Sequence, residues 1–296
     1  MSEPSDNKHY LRDRVTRREF TLAPGVFDLI SAKLADREGF AALYMTGYGV
    51  SASHLGLPDA GLASFGDMLD RARAIATAVN APLIADADTG YGGLLNVRHT
   101  VRGYEAAGVA AIQLEDQEFP KKCGHTPGRK VIPLEDMVKK ISVAVEARSR
   151  DEFLVVARTD ARTSLGLDEA LRRGKAYADA GADVIFIESP ESEEEFKRIG
   201  QEIDAPLLAN MVESGFSPVL GVETLKRYGF SVAIYPGTGF CAAAAAMRSA
   251  YRHLHGTGSS IGLDVPLCGI EDMHQLMGFE DVWEFDKRWV EDPAQS

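Results

Sequence analysis

The sequence predicts a (β/α)8 barrel with a C-terminal helical extension, and two observations carry that prediction. Eight short runs rich in Val, Ile, Leu and Ala alternate with longer segments of helical periodicity. Such near-continuous apolarity suits strands of a parallel sheet covered on both faces. Glycines also follow four helical segments by one residue, with a strand due shortly after, where a left-handed residue ends a helix.

In chain order the strand-like runs are residues 20–23, 41–45, 82–85, 110–114, 153–157, 183–187, 206–209 and 231–234. The helical segments are 29–38, 66–79, 96–107, 134–148, 168–180, 191–202, 222–228 and 239–255. Gly39, Gly108, Gly181 and Gly229 are the helix-stop glycines. Pro82 and Pro206 stand at the first residue of a strand, where a missing N–H is tolerated. Eight such units favour a barrel over an open doubly wound sheet, which shares the alternation. Residues 1–256 are assigned to the barrel and 257–296 to the extension, where Trp283, Phe285 and Trp289 suggest packing or a subunit interface.

The chain has 296 residues, 45% of them hydrophobic, which suits a folded globular protein. Its 44 acidic residues against 32 basic ones give a net charge of -12, disfavouring a nucleic-acid partner. No apolar run is long enough for a membrane span, and residues 1–18 lack the apolar core of a signal peptide. Three scattered cysteines, Cys123, Cys241 and Cys268, form no disulfide framework. The expectation is a cytoplasmic protein without membrane association.

In a barrel the catalytic groups stand at the C-terminal ends of the strands. Those ends carry Asp28, Thr46 to Gly49, Asp86 with Asp88, Glu115 with Asp116, Arg158 to Asp160, Glu188, Asn210, and Tyr235 with Pro236. Asp86 and Asp88 lie two apart on extended chain and so face one side. Such a pair calls for a shared proton or a hard cation, and Mg²⁺ binds through one or two carboxylates plus water. Glu115 can join them from the next strand; the competing reading is a helix-capping pair. On the loop after the fourth strand comes Lys121-Lys122-Cys123-Gly124-His125. Cationic neighbours are expected to lower the Cys123 pKa and ready the thiol for proton transfer. The competing reading is an inert thiol, and no Asn or Asp partner for covalent Cys–His catalysis is evident.

These segments, together with Leu55-Gly56-Leu57-Pro58-Asp59, Asp86-Ala87-Asp88-Thr89-Gly90-Tyr91-Gly92, Leu114-Glu115-Asp116-Gln117, Ala157-Arg158-Thr159-Asp160-Ala161 and Leu208-Ala209-Asn210-Met211, resemble the isocitrate lyase and phosphoenolpyruvate mutase superfamily. They run in the family's order over residues 20–255. The resemblance implies a Mg²⁺-dependent barrel, with Mn²⁺ as a substitute, forming a homotetramer whose last helix is swapped between subunits. It assigns the metal to Asp86, Asp88 and Glu115. It places Thr46, Gly47, Tyr48, Asp59, Gly124, Glu188 and Asn210 with the substrate. Cys123 becomes the acid/base group, with Tyr44, Lys121, His125 and Arg158 as further catalytic residues. Tyr44 or a metal-linked water is the candidate base for the substrate hydroxyl.

Two departures bear on substrate. Methylisocitrate lyases carry an arginine six residues after the Tyr of the last Tyr-Pro pair, where this chain has Cys241. A buried carboxylate without its cation is costly, so a third carboxylate is disfavoured. Glu213-Ser214-Gly215-Phe216-Ser217-Pro218 stands where dimethylmalate lyases, oxaloacetate hydrolases and the phosphonomutase commonly read Glu-Gly-Gly-Lys-Thr-Pro. The resemblance therefore favours cleavage of the C2–C3 bond of a 2-hydroxy dicarboxylate. The alternatives are a carboxyphosphonoenolpyruvate-type phosphonomutase, an oxaloacetate hydrolase, and a non-catalytic binding protein on an enzyme scaffold.

Overall fold

The computed structural model describes residues 6–290. Eight parallel strands close into a barrel in chain order. They are β1 (Thr21–Val26), β2 (Leu43–Met45), β3 (Leu83–Asp86), β4 (Ala111–Glu115), β5 (Leu154–Thr159), β6 (Val184–Ile187), β7 (Leu207–Asn210) and β8 (Phe230–Tyr235). Closure comes from β1 pairing with β8, Leu22 opposite Ala233. The helices between them are α2 (Leu29–Arg37), α3 (Gly47–Val50), α4 (Phe65–Ala78), α5 (Leu94–Ala106), α6 (Leu134–Ala147), α7 (Ala161–Leu165), α8 (Leu167–Asp179), α9 (Glu193–Glu202) and α10 (Val222–Arg227). The four helix-stop glycines all have positive φ, from 77° to 97°.

Period-2 alternation divides the strand residues between two cores. Leu43, Leu83, Ile112, Val155, Ile185 and Leu207 point outward into a cluster with α4, α5, α6 and α8. Ala23, Tyr44, Ile84, Leu154, Val156, Phe186, Leu208 and Ile234 point inward and fill the barrel. The same inward parity, continued one step, brings Thr46, Asp86, Glu115, Arg158, Glu188 and Asn210 to the mouth.

One element was not anticipated. Residues 6–16 form a helix, α1 (Asp6–Thr16), whose Leu11 and Val15 are buried among the inward-facing residues. Only this i, i+4 apolar pair marks the segment, and its charged neighbours hide the periodicity. Arg12 also reaches Asp183 at 2.6 Å, tying α1 to the start of β6.

The chain divides into two units at 240/241, inside α11 (Thr238–Thr257), rather than at the anticipated 256/257. No side chain of α11 is buried. The second unit continues with α12 (Ile270–Met277) and α13 (Phe279–Trp289). Among the described residues no helix is long and apolar enough to cross a membrane.

Candidate active site

The β3 end holds the centre of the site. The Asp88 amide donates to Asp86 Oδ1 at 3.0 Å, with Asp88 at φ 48°, so the two carboxylates face together. Gln113 of β4 also reaches Asp86 Oδ1, from Nε2 at 3.4 Å, and accepts from the Tyr44 hydroxyl at 3.1 Å. With Oδ1 so engaged, Asp86 Oδ2 faces Gly47, where a Cβ would stand only 2.6 Å away. Thr46 caps α3 by accepting weakly from the Gly49 amide at 3.5 Å.

Lys121 is buried between Asp59, to which it pairs, and Asp88 Oδ1 at 2.7 Å. Burial opposes its charge, but Asp88, Asp59 and Glu115 together hold it firmly protonated. Burial, opposed by Lys121 and reinforced by Asp86 and Asp59, pushes the Asp88 carboxyl up to about 7. Glu115 is raised as well, first by burial, with Arg158 pulling the other way. Its Oε2 lies 3.4 Å from Arg158 Nη1, while Oε1 is buried with no hydrogen-bond partner.

Arg158 is aimed by Asp160, which accepts from Nε and Nη2 at 2.9 Å each. Its Nη2 also stands 3.7 Å from Glu188, which accepts from Asn210 Nδ2 at 3.1 Å. Gly124 lies directly over this pair, and a Cβ there would stand 2.6 Å from Arg158 Nη2. The loop is therefore folded across the mouth. The Cys123 amide donates to the Asp59 carbonyl at 3.0 Å, and Ser189 reaches the Gly124 carbonyl at 3.3 Å.

Three expectations need correction. Cys123 is half-buried, and burial raises its thiol above the ordinary value despite the His125 backbone, Arg158 and Lys121. The cations meant to lower it are engaged elsewhere, Lys121 with two carboxylates and Lys122 with the Gly128 carbonyl at 3.2 Å. Tyr44 is held as a neutral phenol by burial and by Asp86, and it donates to Gln113, which suits a donor and not a base. Glu115 turns to Arg158 instead of joining the Asp86–Asp88 pair. Among the described residues no three His, Cys, Asp or Glu side chains are placed to hold a metal ion.

That arrangement still fits Mg²⁺, which takes few protein carboxylates and keeps its waters. Asp86 Oδ2 beside Gly47, the raised Asp88 and the unpartnered Glu115 Oε1 are a concentration of buried carboxylate oxygen that a hard cation would relieve. Of the remaining expected residues, His125 is neutral through burial and stands 3.8 Å from Glu188. Tyr48 is half-exposed at the rim against Phe240, with ring centres 5.4 Å apart.

Sequence reasoning passed over Gln113, Arg129 and Ser189. Gln113 had a signal, because it lies two residues before Glu115 on the same inward face of β4. Arg129 and Ser189 sit on loops, where no periodicity points to a partner.

The model of the phosphoenolpyruvate phosphomutase family matches residues 11–255. The chain belongs to the phosphoenolpyruvate mutase/isocitrate lyase superfamily. It is 48% identical over 280 residues to a 2,3-dimethylmalate lyase of Eubacterium barkeri, covering 95% of this chain and 97% of that one. A 2-methylisocitrate lyase of Aeropyrum pernix is 42% identical, over 95% and 89% of the two chains. A solved oxaloacetate acetylhydrolase bound to 3,3-difluorooxalacetate superposes with a TM-score of 0.92 at 38% identity, over 99% of this chain and all of that one. Superfamily membership thus joins this mouth geometry to relatives named for lyase and hydrolase reactions.

Proposed function

We propose that this chain is a Mg²⁺-dependent lyase that cleaves the C2–C3 bond of a 2-hydroxy dicarboxylate, yielding an α-keto acid and a carboxylate. The observation that carries the reading is the Lys121–His125 loop folded over Arg158 and Glu188, with Gly124 against both and the neighbouring Cys123 tied by its amide to Asp59. Likeness to a 2,3-dimethylmalate lyase along nearly the whole chain supports it. Cys241, where methylisocitrate lyases carry arginine, argues for two carboxylates over three.

Asp86 and Asp88 would hold the ion, with Glu115 beside them. When bound, such an ion supplies Lewis-acid polarisation of the oxygens of a 2-hydroxy acid. Arg158, kept cationic by Asp160, Glu115 and Glu188 against the effect of burial, binds the carboxylate whose charge grows as the bond breaks. Asn210 and Glu188 orient the same end. Cys123 gives its proton to the carbanion at C3, a transfer suited to a thiol held in its protonated form, while the C2 hydroxyl gives up its own proton to a water at the Asp86–Asp88 site. The closed loop excludes water while that carbanion exists. Tyr44 fixes Gln113, and through it the orientation of Asp86.

The test is a panel of 2-hydroxy di- and tricarboxylates, with Mg²⁺ and with chelator, followed by α-keto acid release. Metal-dependent cleavage of a dicarboxylate is expected. Acetate and oxalate from oxaloacetate instead would favour the hydrolase reading, for which the superposition on oxaloacetate acetylhydrolase speaks. A tricarboxylate turned over best would sink the dicarboxylate assignment.

The protein is also proposed to work as a homo-oligomer, a tetramer in the reading drawn from its family. In support, Trp283, Phe285 and Trp289 of α13 are 48%, 58% and 66% exposed, a concentration of aromatic surface that isolated monomers seldom present to water.

A further inference from the structure

The mouth loop is a ribbon with a tip and a return limb. Gln117 bridges to Val131, and the Glu118 amide donates to the Lys130 carbonyl at 2.9 Å. Cys123 rides near the tip, and Arg129 stands on the return limb. Arg129 is nonetheless buried, with its side chain 1% exposed. Its Nη1 donates to Asp160 Oδ1 at 2.6 Å, the same oxygen that accepts from Arg158 Nη2. Its Nη2 donates to Thr163 Oγ1 at 2.6 Å and approaches Ser189 Oγ at 3.4 Å. Ser189, at φ 59°, contacts Glu188 at 2.9 Å and the Gly124 carbonyl at 3.3 Å.

We infer that Arg129 is a positioning residue, a latch that fastens the Cys123 loop to the carboxylate that aims Arg158. Two guanidinium groups sharing one buried carboxylate balance their charge against Asp160, Glu115 and Glu188. Without Arg129, Asp160 would have Arg158 as its sole cation and draw it away from an incoming carboxylate. The return limb would also lose its buried anchor. Loop closure and arginine placement are thus set by one group. The inference rests on the proposed lyase reading only for its effect on turnover.

The test is iodoacetamide alkylation of Cys123 in the full chain without substrate, mapped by peptide mass, in Arg129→Gln and Arg129→Lys. Loss of a charge-assisted buried anchor should raise the Cys123 rate about tenfold in Arg129→Gln, with Arg129→Lys in between. The exposed Cys241 and Cys268 serve as reagent references. Ile75→Val, a buried change on α4, gives the effect of general loosening. An Arg129→Gln rate no faster than that of Ile75→Val would overturn the latch. Should Arg129→Gln not fold, Thr163→Val removes one acceptor and should raise the rate about threefold; an unchanged rate would equally overturn it. In turnover, the apparent KM for the carboxylate should rise about tenfold in Arg129→Gln and recover in part in Arg129→Lys. The alkylation rate needs no substrate, so failure of the lyase reading appears in turnover and failure of the latch in alkylation.

Discussion

At Cys123 the decisive quantity is the balance between burial and neighbouring charge. Lys121 looks in sequence like a group that would ionise the thiol, yet its ammonium is committed to Asp59 and Asp88. Desolvation therefore prevails and the thiol is raised. The pH dependence follows in sign. Alkylation of Cys123 should titrate with a midpoint above the ordinary thiol value of about 8.5, and a midpoint below it would contradict the proton-donor role. Cys123→Ser should lose about a thousandfold in turnover while keeping Mg²⁺ and substrate affinity, as isothermal calorimetry can check. Gly47 has an equally specific demand. Because Asp86 Oδ1 is held by the Asp88 amide and Gln113, a Cβ 2.6 Å from Oδ2 must displace the carboxylate. Gly47→Ala should therefore lower kcat/KM about a hundredfold with little change in melting temperature.

Among the elements, the strands announce themselves and the loops do not. β4 reads inward as Ala111, Gln113, Glu115, and β5 as Leu154, Val156, Arg158, so apolar filling gives way to ionisable groups at the mouth by parity alone. The helix α1 escapes detection because, among its described side chains, only Leu11 and Val15 are buried against the barrel. It is still an integral part, since Leu11 and Val15 pack among the inward-facing side chains. Leu11→Ala should cost about 2–5 kcal/mol by urea unfolding, with KM unaffected because the active site lies at the opposite strand ends. The mouth loop shows the converse. Its motif residues are plain in sequence, whereas Arg129 is one of many basic residues until the fold buries it against Asp160.

For the whole molecule, the net charge of -12 and the proposed anionic substrate are reconciled locally. Arg158, Arg129 and Lys121 are buried cations at the mouth; carboxylates keep Arg158 and Lys121 charged, and Arg129 pairs with Asp160. The second unit presents a different problem, with aromatic side chains of α13 facing solvent. Light scattering after size exclusion should report an oligomer. Replacing Trp283, Phe285 and Trp289 by Gln should shift it toward monomer, and a wild-type monomer at micromolar concentration would contradict the proposal.

The sequence by itself determined the barrel, its eight strands in order and the set of residues at their C-terminal ends, because parallel strands and amphipathic helices leave periodic marks in any linear reading. Tertiary structure decided which of those residues meet and in which protonation state. Glu115 turns to Arg158, Tyr44 becomes a donor, Cys123 stays a thiol and Arg129 enters the site. Each outcome depends on burial and on the distance to charges far away in sequence, and neither quantity is carried by local pattern.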